Sequence, residues 1–285
     1  MATGGDDIDF EAEYDNRARV SEHTEIISSW ERDAKAWRDR MSADGRAEYD
    51  LAYGPHERHG IDIFRPKVDR NGPLALFIHG GYWRSLDRKL FSHMAAGLIE
   101  NGVPVALASY RLCPEVAVTG IIGDMQSAAC WLWSQYNRRL LAVGHSAGGH
   151  LAACLLATDW RGLDPALPEH LVPAAVSFSG LFDLEPLTHT SINDTLGLTP
   201  TIAQEASPLT WPAPAGGWLE AFVGSEESPE YHRQSDSITK VWGEHGTETK
   251  LRIIPGANHF TTVNTLADPD SDEVTRIAVL AHSLE

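Results

Sequence analysis

Gly144-His-Ser146-Ala-Gly148 sets a serine between two glycines. An apolar run, 140–143, leads into it, and an Ala- and Leu-rich segment, 147–157, leaves it. A strand that passes into a helix through so tight a turn presents its serine hydroxyl outward, and the glycines leave room that bulkier residues would fill. Ser146 is therefore the candidate nucleophile. A serine hydroxyl is weak near neutral pH and needs a base. Of the 13 histidines, His259 stands best placed, in Pro255-Gly-Ala-Asn-His259-Phe directly after the apolar run 251–254. His245, in a turn before that run, and His282, near the chain end, are its rivals. The base in turn needs a carboxylate to orient it. The run 219–223 is followed by Gly224-Ser-Glu226-Glu227-Ser-Pro229-Glu230. Glu226, the first acid after the run, is the candidate; Glu227 comes second, and Glu230 and Asp236 come behind it.

His79-Gly-Gly-Tyr-Trp83 closes an earlier apolar run, 74–78. Acyl transfer passes through a tetrahedral oxyanion, and peptide N–H groups must already point at it. The amides of Gly81 and Tyr82, with that of Ala147 after the serine, are expected to supply them. His79 reads as a structural histidine that pins the loop. Trp83 is the candidate wall of a substrate pocket, with plain core burial as its alternative. Metal binding is the competing use of histidine. The pairs His145/His150 and His56/His59 come without cysteine or carboxylate at ligand spacing, and no H-E-x-x-H is present. No phosphate-binding G-x-x-x-x-G-K-[ST] loop occurs either, so neither metal nor cofactor is expected.

The elements that must carry these residues follow from patterning. Short, continuously apolar runs at 74–78, 104–108, 140–143, 174–178, 219–223 and 251–254 suit strands buried on both faces. Helical patterns alternate with them: 124–137 with Asp124 as its cap, 147–157, and a last one opened by Asp270-Ser-Asp-Glu273. Alternation of this kind predicts an α/β fold, a mostly parallel sheet with helices on both faces. Residues 1–50 read as an N-terminal arm with helices around 26–41, and 182–214 as an insertion able to cover a site at the strand ends. One domain over 1–285 is expected.

Composition narrows the partners. With 23 Lys+Arg against 40 Asp+Glu, the net charge of −17 opposes nucleic acid. Cys113, Cys130 and Cys154 are few, odd in number and without a C-x-x-C, which fits a reducing compartment. The acidic, polar start lacks a leader pattern and no apolar stretch reaches membrane-spanning length, so a cytoplasmic protein without membrane association is expected. Sequence leaves the oligomeric state open.

His79-Gly-Gly-Tyr-Trp83, Tyr110-Arg-Leu-Cys-Pro-Glu115 and Gly144-His-Ser-Ala-Gly-Gly-His150 together resemble the α/β-hydrolase superfamily. The resemblance spans roughly residues 60–265 and is strongest to the kynurenine formamidase (arylformamidase)-like and hormone-sensitive-lipase-like branch. The Tyr-Trp after the paired glycines is similar to the formamidase side. So is Gly224-Ser-Glu-Glu-Ser-Pro-Glu-Tyr-His-Arg-Gln-Ser235, which resembles that side's acid loop; there the first acid is commonly aspartate, and here it is Glu226. The resemblance implies a serine hydrolase acting on a small-molecule amide such as an aryl formamide, or on a carboxylic ester. A short-chain carboxylesterase is the first alternative. A non-catalytic binding module on the same fold is the remote one, disfavoured because nucleophile and histidine are both present.

Overall fold

The structure is a computed structural model that describes residues 8–284; the first seven residues of the expected arm and the final residue lie outside them. One eight-stranded sheet runs in the order β1-β2-β4-β3-β5-β6-β7-β8. Its strands are β1 (Ala47–Ala52), β2 (Gly60–Phe64), β3 (Leu74–Ile78), β4 (Val105–Ala108), β5 (Leu140–His145), β6 (Ala174–Phe178), β7 (Trp218–Gly224) and β8 (Glu248–Ile254). β1 pairs antiparallel with β2, and β2 antiparallel with β4. All later pairings are parallel. The six strands expected from apolar runs occur within a few residues of those runs.

Period-two alternation divides the core. In β3, Leu74, Leu76 and Ile78 face one hydrophobic cluster, whereas Ala75 and Phe77 face another. The first cluster is covered by α5 (Val118–Tyr136), α6 (Ala147–Leu156) and α10 (Pro229–Glu244). The second is covered by α3 (His23–Ala43), α4 (Ala96–Glu100) and α11 (Asp272–Ser283). Short helices fill the rest: α1 (Phe10–Tyr14), α2 (Asn16–Arg19), α7 (Trp160–Leu163), α8 (Asn193–Leu196) and α9 (Pro200–Glu205).

Two features depart from expectation. β1 and β2 were not expected, because Glu48, Asp50 and Asp62 interrupt their apolar pattern. Asp62 is nonetheless wholly buried: Arg38 of α3 donates to it at 2.5 Å, Arg88 lies 3.1 Å away, and the Asp50 amide donates to it. Paired in this way, a carboxylate can occupy a strand interior. The arm therefore ends as the first strand of the sheet. Asp124 does not cap a helix. α5 begins six residues earlier, at Val118, and Asp124 sits inside it with its carboxylate gripped by the Arg111 guanidinium at 2.7–3.1 Å. The last helix opens within the expected Asp270–Glu273 segment, at Asp272 with Ser271 as its cap. Residues 182–214 fold as α8, α9 and two single 3-10 turns between β6 and β7.

Candidate active site

Ser146 lies at the apex between β5 and α6 with φ 56° and ψ −119°, a backbone state that costs a side-chain-bearing residue about 1–3 kcal/mol. Two contacts impose it. A Cβ on Gly144 would approach the Gly148 carbonyl oxygen to 2.0 Å, and one on Gly148 would approach the Ile78 carbonyl oxygen to 1.9 Å. Only glycine fits either position. The Ser146 amide donates to the Phe178 carbonyl at 2.8 Å, which ties the apex to the end of β6.

His259 follows β8, in a turn organised by Asn258. The Asn258 side-chain oxygen accepts from the Phe260 amide at 3.0 Å and the Thr261 amide at 3.1 Å. His259 Nε2 stands 3.0 Å from Ser146 Oγ, and Nδ1 stands 2.8 Å from Glu227 Oε2. Separated by 113 residues of chain, serine and imidazole thus meet at hydrogen-bond distance.

The carboxylate at the imidazole belongs to Glu227, not to Glu226. Glu226 donates its amide to the Ala257 carbonyl at 3.0 Å, which stitches the acid loop to the histidine loop and leaves its side chain exposed. One residue on, the turn reverses and Glu227 points inward, 8% exposed. Its Oε1 accepts from the Gly224 amide at 2.7 Å and from Ser179 Oγ at 2.6 Å, leaving Oε2 for His259. Choosing the first acid after the strand fails because side-chain direction is set by the turn, not by proximity in sequence. Glu230 is also elsewhere engaged, held by Arg233 at 2.8 Å.

The glycine turn beside the serine carries three successive positive φ values: 111° at Gly81, 47° at Tyr82 and 53° at Trp83. It is clamped from several sides. Tyr110 donates to the His79 carbonyl at 2.9 Å, Ser85 to the Gly81 carbonyl at 3.0 Å, and the Cys113 amide to the Trp83 carbonyl at 2.8 Å. His79 is buried, stacks on Tyr110 at 4.3 Å and donates from Nδ1 to the Gly80 carbonyl at 2.7 Å. Burial pushes its pKa down to about 4, so the ring stays neutral. Among the described residues no acceptor takes the amides of Gly81, Tyr82 or Ala147. Gly80 lies so close to the serine that a Cβ there would meet Ser146 Cβ at 3.0 Å.

Trp83 does not wall the pocket. It is 0% exposed and belongs to the core behind the turn, where its ring meets His150 edge-on at 5.0 Å. The left-handed turn at Tyr82 and Trp83 directs the indole away from the cavity. The cavity measures about 160 Å³. Gly81, Tyr82, Ser146 and His259 form its floor, with Trp30, Ile27 and Phe260 at the sides. Glu11, Asn16 and Arg17 of the arm and Ser191 and Ile192 of the 182–214 segment close it from above. Trp30 is the one cavity residue from the 26–41 helix apart from Ile27; Trp37 and Met41 pack into the core instead.

Sequence reasoning missed two supporting residues. Ser179, immediately after β6 and in a left-handed backbone state, holds Glu227. His145, within the elbow itself, donates from Nε2 to the His259 carbonyl at 2.8 Å. Burial and the adjacent His259 ring push its pKa down to about 3, which keeps it a neutral donor. A small or polar residue at each strand's carboxyl end was the available signal. His145 and His150, the pair weighed as metal ligands, each donate to a backbone carbonyl, that of His150 being Ala206 at 2.7 Å. Among the described residues no group of three potential ligands could hold a metal, and no helix is long and apolar enough to cross a membrane.

Comparison with known proteins agrees with this architecture. The BD-FAE family model matches residues 61–211, just over half of the chain, including the glycine turn and the serine elbow. Kynurenine formamidases from Danio rerio and Salmo salar are 27% and 28% identical, covering 82% and 86% of this chain and equal shares of their own. The crystal structure of a presumptive thioesterase from a Silicibacter species superposes with a TM-score of 0.83 at 30% identity, over 94% of this chain and 98% of that one. By family match, overall relatedness and topology, the chain belongs to the BD-FAE family and is a hydrolase with the α/β-hydrolase fold.

Proposed function

We propose that the chain is a serine hydrolase that cleaves a small amide of the aryl formamide kind through an acyl-enzyme. In this reading His259 removes the Ser146 proton as Oγ attacks the substrate carbonyl. The amides of Gly81, Tyr82 and Ala147 receive the oxyanion. His259, now an imidazolium held in orientation by Glu227, protonates the leaving amine, and water completes the cycle by the same route. The observation that carries the proposal is the unbroken line from Ser146 Oγ to His259 at 3.0 Å and on to Glu227 at 2.8 Å. Three amides beside it, without acceptors among the described residues, add support. Each oxyanion donor in such a site is worth about 2.7–4 kcal/mol of barrier. The aryl amide is favoured by the formamidase relatives and by aromatic and aliphatic cavity sides, Trp30, Phe260 and Ile27, that suit a flat apolar group.

A second reading is cleavage of a short-chain carboxylic ester or thioester. It is favoured by the Silicibacter structure, whose identity to this chain, 30%, exceeds that of the formamidases. Parallel kcat/KM measurements on aryl formamides, p-nitrophenyl esters and acyl thioesters separate the two. A fluorophosphonate probe should label wild type and not Ser146→Ala, and turnover should fall by about 10⁴-fold or more in that variant. Wild-type-like rates in a folded Ser146→Ala would sink the proposal.

A further inference from the structure

Behind the oxyanion turn three polar groups meet. Asn16 Nδ2 donates to the phenol oxygens of Tyr82 at 3.0 Å and Tyr231 at 2.8 Å. The two phenol oxygens lie 2.6 Å apart, and the Tyr82 hydroxyl donates to the Tyr14 carbonyl at 2.7 Å. With the Tyr82 proton committed to Tyr14, Tyr231 must be the donor between the phenols, and Asn16 gives one N–H to each oxygen. Only one arrangement of protons satisfies all of them. Burial pushes both phenols upward in pKa, so neither ionises near neutrality.

Each member is attached to a different part of the site. Tyr82 contributes a proposed oxyanion amide and has a left-handed backbone. The ring of Tyr231, on α10, rests 4.5 Å from the His259 ring. Asn16 belongs to α2 of the arm, whose Tyr14 is fixed to Glu230 at 2.8 Å. We infer that Asn16, Tyr231 and the Tyr82 hydroxyl form a positioning junction, through which the docked N-terminal arm holds the oxyanion turn and braces His259. The inference rests on the serine-hydrolase reading above. Asn16 and Tyr231 are then positioning residues: they act through the Tyr82 amide and the His259 ring. A reacting group displaced by about 1 Å loses on the order of 100-fold in rate, so loss of this junction is felt in kcat.

Wild type, Ser146→Ala, Asn16→Ala, Tyr82→Phe and Tyr231→Phe are compared on p-nitrophenyl acetate. A trifluoromethyl ketone serves as mimic of the tetrahedral state, and thermal unfolding checks the fold. Each junction variant should lose about 10- to 100-fold in kcat, with KM little changed and the ketone's Ki raised by a similar factor. The Tyr82→Phe/Tyr231→Phe double variant should lose no more than its worse single, because one junction is broken once. Asn16 and Tyr82 also line the cavity, but mere substrate contact would appear in KM instead. Unchanged kcat in folded Asn16→Ala and Tyr231→Phe overturns the inference. So does loss of activity only where the fold is lost, which marks a scaffold role. Wild-type turnover that does not require Ser146 sinks the serine-hydrolase reading itself, a result distinct from either.

Discussion

The floor of the cavity is made of strand ends and the turns that leave them, whereas its roof is made of short helices from the arm and from the 182–214 segment. The floor is held by sterics and by groups buried in the core. Gly144 and Gly148 fit because nothing larger does, Ser179 fixes Glu227, and His79, His145 and His150 donate to backbone carbonyls. The roof is held in two ways: by buried bonds, from Tyr14 to Glu230, from Asn16 to Tyr231 and from His150 to the Ala206 carbonyl, and at its rim by exposed contacts, of which the clasp of Glu11 on the Ser191 amide and hydroxyl, each at 2.6 Å, is the plainest. The difference teaches where chemistry and selectivity should separate. Buried elements position the atoms at the site, and the lightly held rim of the cover shapes access to them.

The two neighbouring glutamates put the largest strain on this comparison. Glu227→Gln should lower kcat by about 10³- to 10⁴-fold, because the amide can donate to the imidazole and so favours the wrong tautomer. Glu226→Gln, on the solvent side of the same turn, should stay within about twofold of wild type, as surface substitutions generally do. Steady-state kinetics on both decide it; a reversed order would return the acid role to Glu226.

Acid should act on the buried histidines that brace the floor and tie the 182–214 segment to it. Burial holds His79 and His150 down to about 4 and His145 to about 3 in the folded chain, from an ordinary 6.5. Between those values the unfolded chain binds protons that the folded chain refuses. The stability these rings contribute is therefore complete above the ordinary histidine value and lost as pH falls toward 4. Each ring costs up to about 1.4 kcal/mol per pH unit in that window. Thermal unfolding followed by circular dichroism should show a midpoint that drops steeply between neutrality and that lower bound. A flat profile would mean the rings are more accessible than their packing indicates.

The smallest effect belongs to the roof. Glu11→Ala removes the clasp to Ser191 without touching the floor. KM should rise about two- to fivefold, the range of a single exposed polar contact, with kcat unchanged. A fall in kcat instead would show that the rim clasp, like the Asn16 junction, takes part in positioning the reacting groups.

Much of the site was legible because its constraints are local. A glycine-flanked serine after an apolar run, a paired glycine after another and a histidine past the last run are each readable within a few residues. What escaped was long-range compensation. β2 escaped because Asp62 breaks its apolar pattern while its partners, Arg38 and Arg88, lie 24 and 26 positions away in sequence. Asp124 resembled a cap because nothing nearby indicated Arg111 as its counter-ion.

The sequence by itself determined the six parallel strands, the helices that alternate with them, and the serine and histidine that the fold brings together, because hydrophobic period and turn sterics act over a handful of residues. Tertiary structure alone decided which of two adjacent carboxylates faces the imidazole, sent Trp83 into the core rather than the cavity, and brought Asn16 of the arm to Tyr82 and Tyr231. Those outcomes depend on the direction in which a side chain leaves its turn and on contacts across up to 215 residues of chain, and no local pattern encodes either.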